Sequence, residues 1–111
     1  MSSQADPVDA GTEDVCPVVE SFDEIGSKWR LVVLYDLQEG EKRFNELKRS
    51  TGASSRTLSR VLDDLQAADY VERRLEEASP VATYYSLSPK AAALCPVFDA
   101  IEEWADEWLD L

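Results

Sequence analysis

The hydrophobic positions of this chain follow a helical period in its first third. From Pro17, apolar side chains recur every three or four residues as far as Ile25, and this spacing predicts a helix that Gly26 ends. Ser27 suits the N-cap of a second helix, which is apolar around most of its circumference and ends before Gly40. A helix with so little polar surface belongs at the centre of a core.

A short helix, a turn and a longer helix are predicted next. Asn45 can cap the short helix, and a glycine-containing turn follows at residues 51–53. Ser54 or Ser55 then caps a helix that runs to about Ala68. This succession is the helix-turn-helix arrangement.

Two alternating segments follow, Tyr70–Leu75 and Thr83–Leu87, which predict two strands of a hairpin joined by the loop Glu76–Ala82. An extended piece at residues 42–44 offers a short third strand, and Pro89 opens one final helix. The pattern therefore predicts an α+β fold, a winged helix-turn-helix. It is mainly helical, with a two- to three-stranded β-hairpin wing and with helices at both ends.

The chain of 111 residues has the length of one domain, which we place at residues 15–111. Residues 1–14 are polar and carry four acids, so we expect a disordered acidic tail. No stretch of about 18 apolar residues predicts a membrane span, and the first residues do not resemble a signal peptide. We therefore expect a cytoplasmic protein.

Charge is distributed very unevenly along the chain. The net charge is −12, which at first argues against a nucleic-acid partner. Residues 42–74, however, contain eight of the eleven basic residues and only five acids, for a net charge of +3. The remainder contains three basic and eighteen acidic residues, for a net charge of −15. A basic segment within an otherwise acidic chain is consistent with one surface facing DNA.

The surplus of carboxylates has two readings. A surface rich in Asp and Glu and poor in Lys keeps a protein soluble in a cytosol of very high salt. We therefore favour a halophilic source and expect an archaeon. The alternative is an ordinary acidic protein. Molar salt would screen phosphate contacts strongly, so such a protein would depend on shape and base contacts.

Enzyme chemistry finds little support in the sequence. The chain has no histidine and two cysteines, so neither a four-ligand zinc site nor a histidine-based triad is expected within one subunit. No glycine-rich phosphate loop occurs either. We expect no enzyme activity, no metal and no cofactor.

The predicted helix after residue 54 has the two faces that DNA recognition requires. Its leucines and valine form one stripe, while Arg56 and Arg60 lie one turn apart on the other side, flanked by Ser55, Thr57 and Ser59. Arginine forks there can reach guanine edges or phosphates in double-stranded DNA. An ordinary solvated face is the alternative. Further candidate phosphate contacts are Lys42, Arg43, Lys48, Arg49, Arg73 and Arg74. Because side chains alternate along a strand, the alternative for one of the last two is that it only covers the sheet.

The final predicted helix carries more large apolar side chains than a small core can cover. Phe98, Ile101, Trp104 and Trp108 share one face, and aromatic residues are enriched in interface cores. We therefore expect a homodimer, with packing inside one chain as the alternative. A two-fold dimer would present two recognition helices about 34 Å apart to a pseudo-palindromic site.

Cys16 precedes Pro17 at a predicted helix N-terminus, where a thiolate is favoured, and it is a candidate redox sensor. Neighbouring acids oppose a negative charge there, so a small packing residue is the alternative. Cys95 is expected to be a packing residue, and a bridge between the two cysteines depends on their separation.

Several motifs at consistent intervals resemble the HxlR-type winged-helix regulators of the MarR-like superfamily, across about residues 15–108. The matching motifs are Cys16-Pro17-Val18, Ile25-Gly26-Ser27-Lys28-Trp29, Arg43-Phe44-Asn45-Glu46-Leu47, Ser55-Arg56-Thr57-Leu58-Ser59, Tyr70-Val71-Glu72-Arg73-Arg74 and Tyr85-Ser86-Leu87. The resemblance implies a homodimeric transcription regulator whose terminal helices form the interface and whose helix Ser55–Leu65 enters the major groove. It also implies, for some relatives, oxidant sensing at the position of Cys16; the small-molecule or oxidant effector is unknown.

The wing departs from the pattern of that family. Ala82 stands where the family usually carries an arginine, and Glu76 and Glu77 make the loop acidic. A wing contact with phosphate is therefore not expected. A winged helix that serves only protein–protein interaction, without DNA binding, is the alternative function.

Overall fold

The computed structural model of this chain describes residues 15–77 and 80–111. Six helices are described: α1 Pro17–Ile25, α2 Lys28–Asp36, α3 Phe44–Thr51, α4 Ser55–Ala67, α5 Pro89–Ala92 and α6 Cys95–Trp108. Three strands are described: β1 Lys42–Arg43, β2 Val71–Glu76 and β3 Ala82–Leu87. The expected disordered tail at residues 1–14 lies outside the described residues, as do residues 78–79 at the tip of the predicted wing loop.

The predicted winged helix-turn-helix fold is confirmed. The three strands form an antiparallel sheet in the order β1-β3-β2, so the third strand at residues 42–43 is present. Tyr85 pairs with Lys42 on one side and with Arg73 on the other, and this register fixes which side chains share a face. In the described parts of the chain, no helix has the length and apolar character that a membrane span needs.

The core lies where α2, α3 and α4 meet. Leu34, Leu47, Leu58 and Leu62 are almost completely buried and come from all three helices. The central position predicted for the second helix is borne out by Val33 and Leu34, although α2 ends at Asp36 and a single 3₁₀ turn follows. This packing fixes α4 against the rest of the domain.

Local signals begin and end the helices of the helix-turn-helix. The Ser54 Oγ accepts a hydrogen bond from the Thr57 N–H at 3.1 Å, so Ser54 is the N-cap of α4. Gly52 ends α3 in the left-handed conformation, with φ of 78°, and its N–H donates to the Lys48 carbonyl at 3.0 Å. A left-handed residue reverses the chain there, and glycine adopts that conformation without strain.

The predicted cap of the short helix is wrong. α3 begins at Phe44, so Asn45 lies inside its first turn and Arg43 is the N-cap residue. The Glu46 carboxylate accepts a hydrogen bond from the Arg43 N–H at 2.8 Å. This carboxylate reaches back from the third helical position and accepts from a backbone N–H at the N-terminal end of the helix, so a capping asparagine is not needed there.

The prediction of one final helix is also wrong, because the structure has two helices, α5 and α6, separated at residues 93–94. Pro96 has no N–H to donate to the carbonyl of Ala92, and its ring would collide with that carbonyl in a continuous helix. The break places Pro96 in the first turn of α6, where proline is tolerated. The two main strands differ from their predicted bounds by one residue at some ends.

Candidate DNA-binding surface

Helix α4 presents two opposite faces. Leu58, Val61, Leu62 and Leu65 are buried, with at most 4% of their surface exposed. Arg56, Arg60, Ser55 and Ser59 are exposed, and Thr57 is half-buried. The helix therefore anchors one side in the core and leaves two arginines, one turn apart, in solvent.

Helix α3 adds a second group of exposed cations. Lys48 and Arg49 line a shallow groove with Asn45, Gly52 and Ala53, of about 400 Å³. This groove lies at the turn between α3 and α4, just before the N-terminal end of α4 that carries Arg56. Arg43, the N-cap of α3, is also exposed.

The basic residues of segment 42–74 differ in how they are used. Six of them form no ion pair with the described residues of the chain: Arg43, Lys48, Arg49, Arg56, Arg60 and Arg73. Lys42 donates to the carboxylates of Asp36 at 3.0 Å and Glu39 at 2.8 Å. The hydrogen bond to Glu39, followed by the contacts with Asp36, raises the pKa of Lys42. Lys42 thus ties β1 to the end of α2.

Arg74 does not stand free as a phosphate contact, so its simple assignment from sequence needs correction. Its guanidinium binds Glu41 and Glu76 and lies over the ring of Tyr84. The hydrogen bond from Arg74 lowers the pKa of Glu41, and the two carboxylates raise the pKa of Arg74. The partner Glu41 lies 33 residues away, and no local sequence signal could have indicated it.

Arg30, which sequence reasoning missed, braces α4 one turn beyond Arg60. Arg30 on α2 donates to the Glu24 carbonyl at 3.0 Å and reaches the carboxylate of Asp64 on α4 at 3.5 Å. The brace joins the end of α1 to α4. Its members are far apart in the sequence, so periodicity within one helix gives no signal for it.

Tyr70 makes a second connection to the end of α1. Its hydroxyl donates to the Glu24 carboxylate, and the ammonium of Lys90 lies 4.2 Å from the ring centroid. Burial, followed by the hydrogen bond to Glu24, raises the pKa of Tyr70 to about 12. The neutral phenol is therefore a structural donor that fixes the chain between α4 and β2.

Both terminal helices carry exposed apolar side chains. On α6, Ile101, Trp104 and Trp108 are exposed by 45%, 56% and 68%. On α1, the exposed apolar residues are Val18, Val19 and Phe22. We call these six side chains the apolar face.

Phe98 does not belong to that face, contrary to the sequence-based assignment. Only 6% of its surface is exposed, and its ring packs edge-to-face against Tyr35 with centroids 6.0 Å apart. Because Phe98 lies on the inner side of α6, it holds the helix to its own domain.

The two cysteines are both free thiols in the structure. Cys16 is exposed at the N-cap position of α1, and Cys95 is partly buried at the start of α6. The sequence-based placement of Cys16 at a helix N-terminus is confirmed. No bridge joins it to Cys95.

A family model described as HxlR-like helix-turn-helix matches residues 24–111, which include every element from α2 to α6. This chain belongs to the HxlR-like helix-turn-helix family. The resemblance read from the motifs is thereby confirmed, and the family consists of transcription regulators and not of enzymes.

Named relatives agree with that assignment. The HTH-type transcriptional regulator YodB of Bacillus subtilis is 33% identical over 98 residues, which are 86% of this chain and 88% of YodB. The reduced form of YodB has a similar structure, with a TM-score of 0.77, covering 86% of this chain and 96% of that one.

Two further solved structures are similar. The redox regulator HypR in its oxidised form is 33% identical, has a TM-score of 0.75 and covers 86% of this chain and 100% of its own. A MarR-family regulator from Porphyromonas gingivalis is 26% identical, has a TM-score of 0.78 and covers 91% of this chain and 100% of its own. The expected MarR-like relationship is therefore confirmed. The halophilic source stays a prediction.

Proposed function

We propose that this HxlR-like protein is a DNA-binding transcription regulator that acts as a homodimer and inserts α4 into the major groove of double-stranded DNA. One observation carries the proposal: Arg56 and Arg60 stand exposed, one turn apart, opposite the buried stripe of α4. An α-helix fits the major groove, where arginine forks bind the acceptors of guanine. DNA as the partner makes the cytoplasm the expected place of action.

The surrounding groups suit the two classes of contact that such a helix makes. Ser55 and Ser59 add short donors and acceptors beside the arginines, while Lys48 and Arg49 form a cationic groove at the turn. Base contacts specify a sequence, and phosphate contacts fix orientation and supply affinity. We assign base reading to the residues of α4 and phosphate binding to Arg43, Lys48, Arg49 and Arg73.

The apolar face supports the homodimer. Three of its members lie on α6 and three on α1, and all are exposed in a single chain. Water-exposed aromatic residues of this size favour association, because burial removes their apolar area from water. A two-fold contact would place two α4 helices about one DNA turn apart, roughly 34 Å.

Binding to DNA from upstream of the protein's own gene tests the proposal. Arg56→Ala and Arg60→Ala are each expected to weaken specific binding by about 1–3 kcal/mol, measured by fluorescence anisotropy. Lys90→Gln is the control for the loss of one positive charge, because Lys90 lies on α5 and contacts the C-terminal end of α4 instead of its arginine face. Equal DNA affinities of the wild type and all three variants would contradict base recognition by α4.

A second function, interaction with another protein without DNA binding, is favoured by one observation. The wing is acidic, and the guanidinium of Arg74 is occupied by two carboxylates. If the wild-type protein does not bind its upstream DNA in buffers of 0.1 M to several molar salt, this second function replaces the first.

Cys16 is the proposed site of redox control. Its thiol is exposed at the start of α1, beside the apolar face, and HypR is named a redox regulator. An oxidant such as diamide is expected to change the DNA affinity of the wild type and not of Cys16→Ser. An equal response in both proteins would assign Cys16 a packing role.

The acidic remainder of the chain supports operation at high salt. Its net charge of −15 outside residues 42–74 repels itself in dilute buffer, and salt shortens the range of that repulsion. The urea midpoint is expected to rise as KCl increases from 0.1 M to 3 M. No change across that range would favour an ordinary acidic protein.

A further inference from the structure

The guanidinium of Arg74 is held by neighbouring side chains. Its Nε and Nη2 donate to the two oxygens of Glu41, at 3.1 and 2.9 Å, and its Nη1 donates to Glu76 at 2.5 Å. The guanidinium carbon lies 4.5 Å from the ring centroid of Tyr84. Two carboxylates and an aromatic face therefore hold one cation.

The bond to Glu41 has the geometry that an arginine uses for phosphate. Two parallel N–H donors meet two oxygens of one anion, as in a bidentate phosphate contact. The Arg74 side chain is 50% exposed and that of Glu41 is 37% exposed. An ion pair this open to solvent is weak, so another anion can replace the carboxylate.

The register of the sheet places Arg74 on the same face as Arg43, which forms no ion pair with the described residues. Tyr84 pairs with Arg43 on one side and with Arg74 on the other, so all three side chains point to one face. Since adjacent strands are about 4.8 Å apart, the two arginines lie about 10 Å from each other. Arg43 directly precedes α3 and belongs to the proposed phosphate contacts.

We propose that Glu41 competes with DNA phosphate for Arg74 and so limits the affinity of the protein for any duplex. The inference rests on the proposed DNA-binding function. Phosphate contacts raise affinity for every sequence, whereas the base contacts of α4 raise it for the operator alone. Withholding one phosphate-binding arginine therefore weakens binding to every sequence, the operator included, and leaves the base contacts unchanged.

Glu41 is the stronger of the two competitors. It occupies two donors of the guanidinium, while Glu76 occupies one. Glu41 also precedes β1 and lies outside the hairpin, so the pair spans the sheet from one edge to the other. Removing its charge frees the two donors that phosphate would take.

Glu41→Gln tests the inference, since it removes the charge and keeps the size. For a non-specific duplex, we expect affinity about fivefold higher at 0.15 M salt and a salt slope steeper by about 0.9, the value of one added phosphate contact. The same added contact also raises the affinity for the operator. The double variant Glu41→Gln/Arg74→Gln is expected to lose this gain in affinity with both the operator and the non-specific duplex. Arg74→Gln alone is expected to lower the affinity by less than Glu41→Gln raises it, because Glu41 competes with phosphate for that arginine in the wild type.

Glu72→Gln is the matched control. Glu72 is exposed on β2, on the same face as Arg74, and forms no bond to it. An equal gain from Glu72→Gln would mean that loss of bulk negative charge explains the result and would overturn the inference. So would an unchanged affinity in Glu41→Gln, or a full gain that persists in the double variant.

Failure of this inference is distinguishable from failure of the proposed function. If wild type binds DNA and loses affinity in Arg56→Ala, while Glu41→Gln is unchanged, only the role of Glu41 is overturned. If neither wild type nor Glu41→Gln binds DNA at any salt concentration, both are overturned. Thermal unfolding of each variant shows that the fold is retained.

Discussion

Replacement of Trp104 by alanine removes a central contact of the proposed dimer. The side chain is 56% exposed in the single chain and lies on the apolar face, between Ile101 and Trp108 in sequence. Since a large aromatic residue has about 200 Å² to bury, roughly 110 Å² per protomer remains for a partner. The domain core does not depend on this exposed part.

The magnitude follows from that area. At about 25 cal/mol per Å², burying roughly 110 Å² contributes about 2.8 kcal/mol per protomer, or about 5–6 kcal/mol for both copies as an upper limit. Alanine keeps part of the area, so we expect a loss of about 3–5 kcal/mol from dimer stability. The dissociation constant would then rise by about 10² to 10³-fold or more.

Sedimentation equilibrium over a range of protein concentrations measures this change. Val81→Ala is the matched control, because Val81 is 64% exposed on the hairpin loop and lies outside the apolar face. Circular dichroism at low concentration checks that the Trp104→Ala monomer remains folded. A dimer constant equal to that of the wild type would refute the assignment of the apolar face as the interface.

Three further predictions concern the domain itself. Leu62→Ala, at a site 1% exposed, is expected to lower the free energy of unfolding by about 2–5 kcal/mol in urea; a loss below 1 kcal/mol would contradict its core position. Gly52→Ala is expected to lower the free energy of unfolding by about 1–2 kcal/mol in the same assay, because φ is 78° and alanine is strained in that conformation. The added Cβ meets no atom within 4 Å, so no clash adds to this cost; an unchanged free energy of unfolding would mean that the turn relaxes. For Tyr70, bonded to Glu24 and facing Lys90, the pKa is raised to about 12. Its contribution to stability is therefore present below pH 10 and is lost as pH rises from about 10 to 12. The difference in stability between wild type and Tyr70→Phe, followed across that range, should shrink, and a constant difference would contradict the raised pKa.

The sequence was informative wherever one short segment contains the whole signal. The two faces of α4 follow from a 3.6-residue period, so the buried stripe and exposed arginines could be assigned without coordinates. Gly52 marked the turn because the left-handed conformation strongly favours glycine. The motifs and their spacing were sufficient for the family.

Errors arose where two local rules competed or where partners are distant. Asn45 is a good N-cap type, but Glu46 bonding back to Arg43 starts the helix earlier. The apolar period of the last helix continues past residue 94, yet Pro96 interrupts the backbone. Arg74 looked free because its strongest partner, Glu41, becomes adjacent only when β1 joins the sheet.

Phe98 shows the limit of reasoning from one helix. It shares a stripe with Trp104 and Trp108, and the sequence pattern does not say which part of a wide apolar stripe faces inward. In the structure Phe98 packs against Tyr35, and the outward part of the stripe carries the tryptophans. The division follows from the position of α2, which a helical period cannot supply.

The acidic surface and the cationic surface have opposite responses to salt, and the difference shapes DNA binding. The four cations that we assign to phosphates, Arg43, Lys48, Arg49 and Arg73, would give a slope of about −4 in log K against log salt. A chain of net charge −12 also repels the duplex, over a range of about 10 Å at 0.1 M salt and 3 Å at 1 M. Because added salt weakens this repulsion as well as the contacts, the observed slope should be shallower than the contact count implies. Base reading by Arg56 and Arg60 then carries a growing share of the affinity as salt rises.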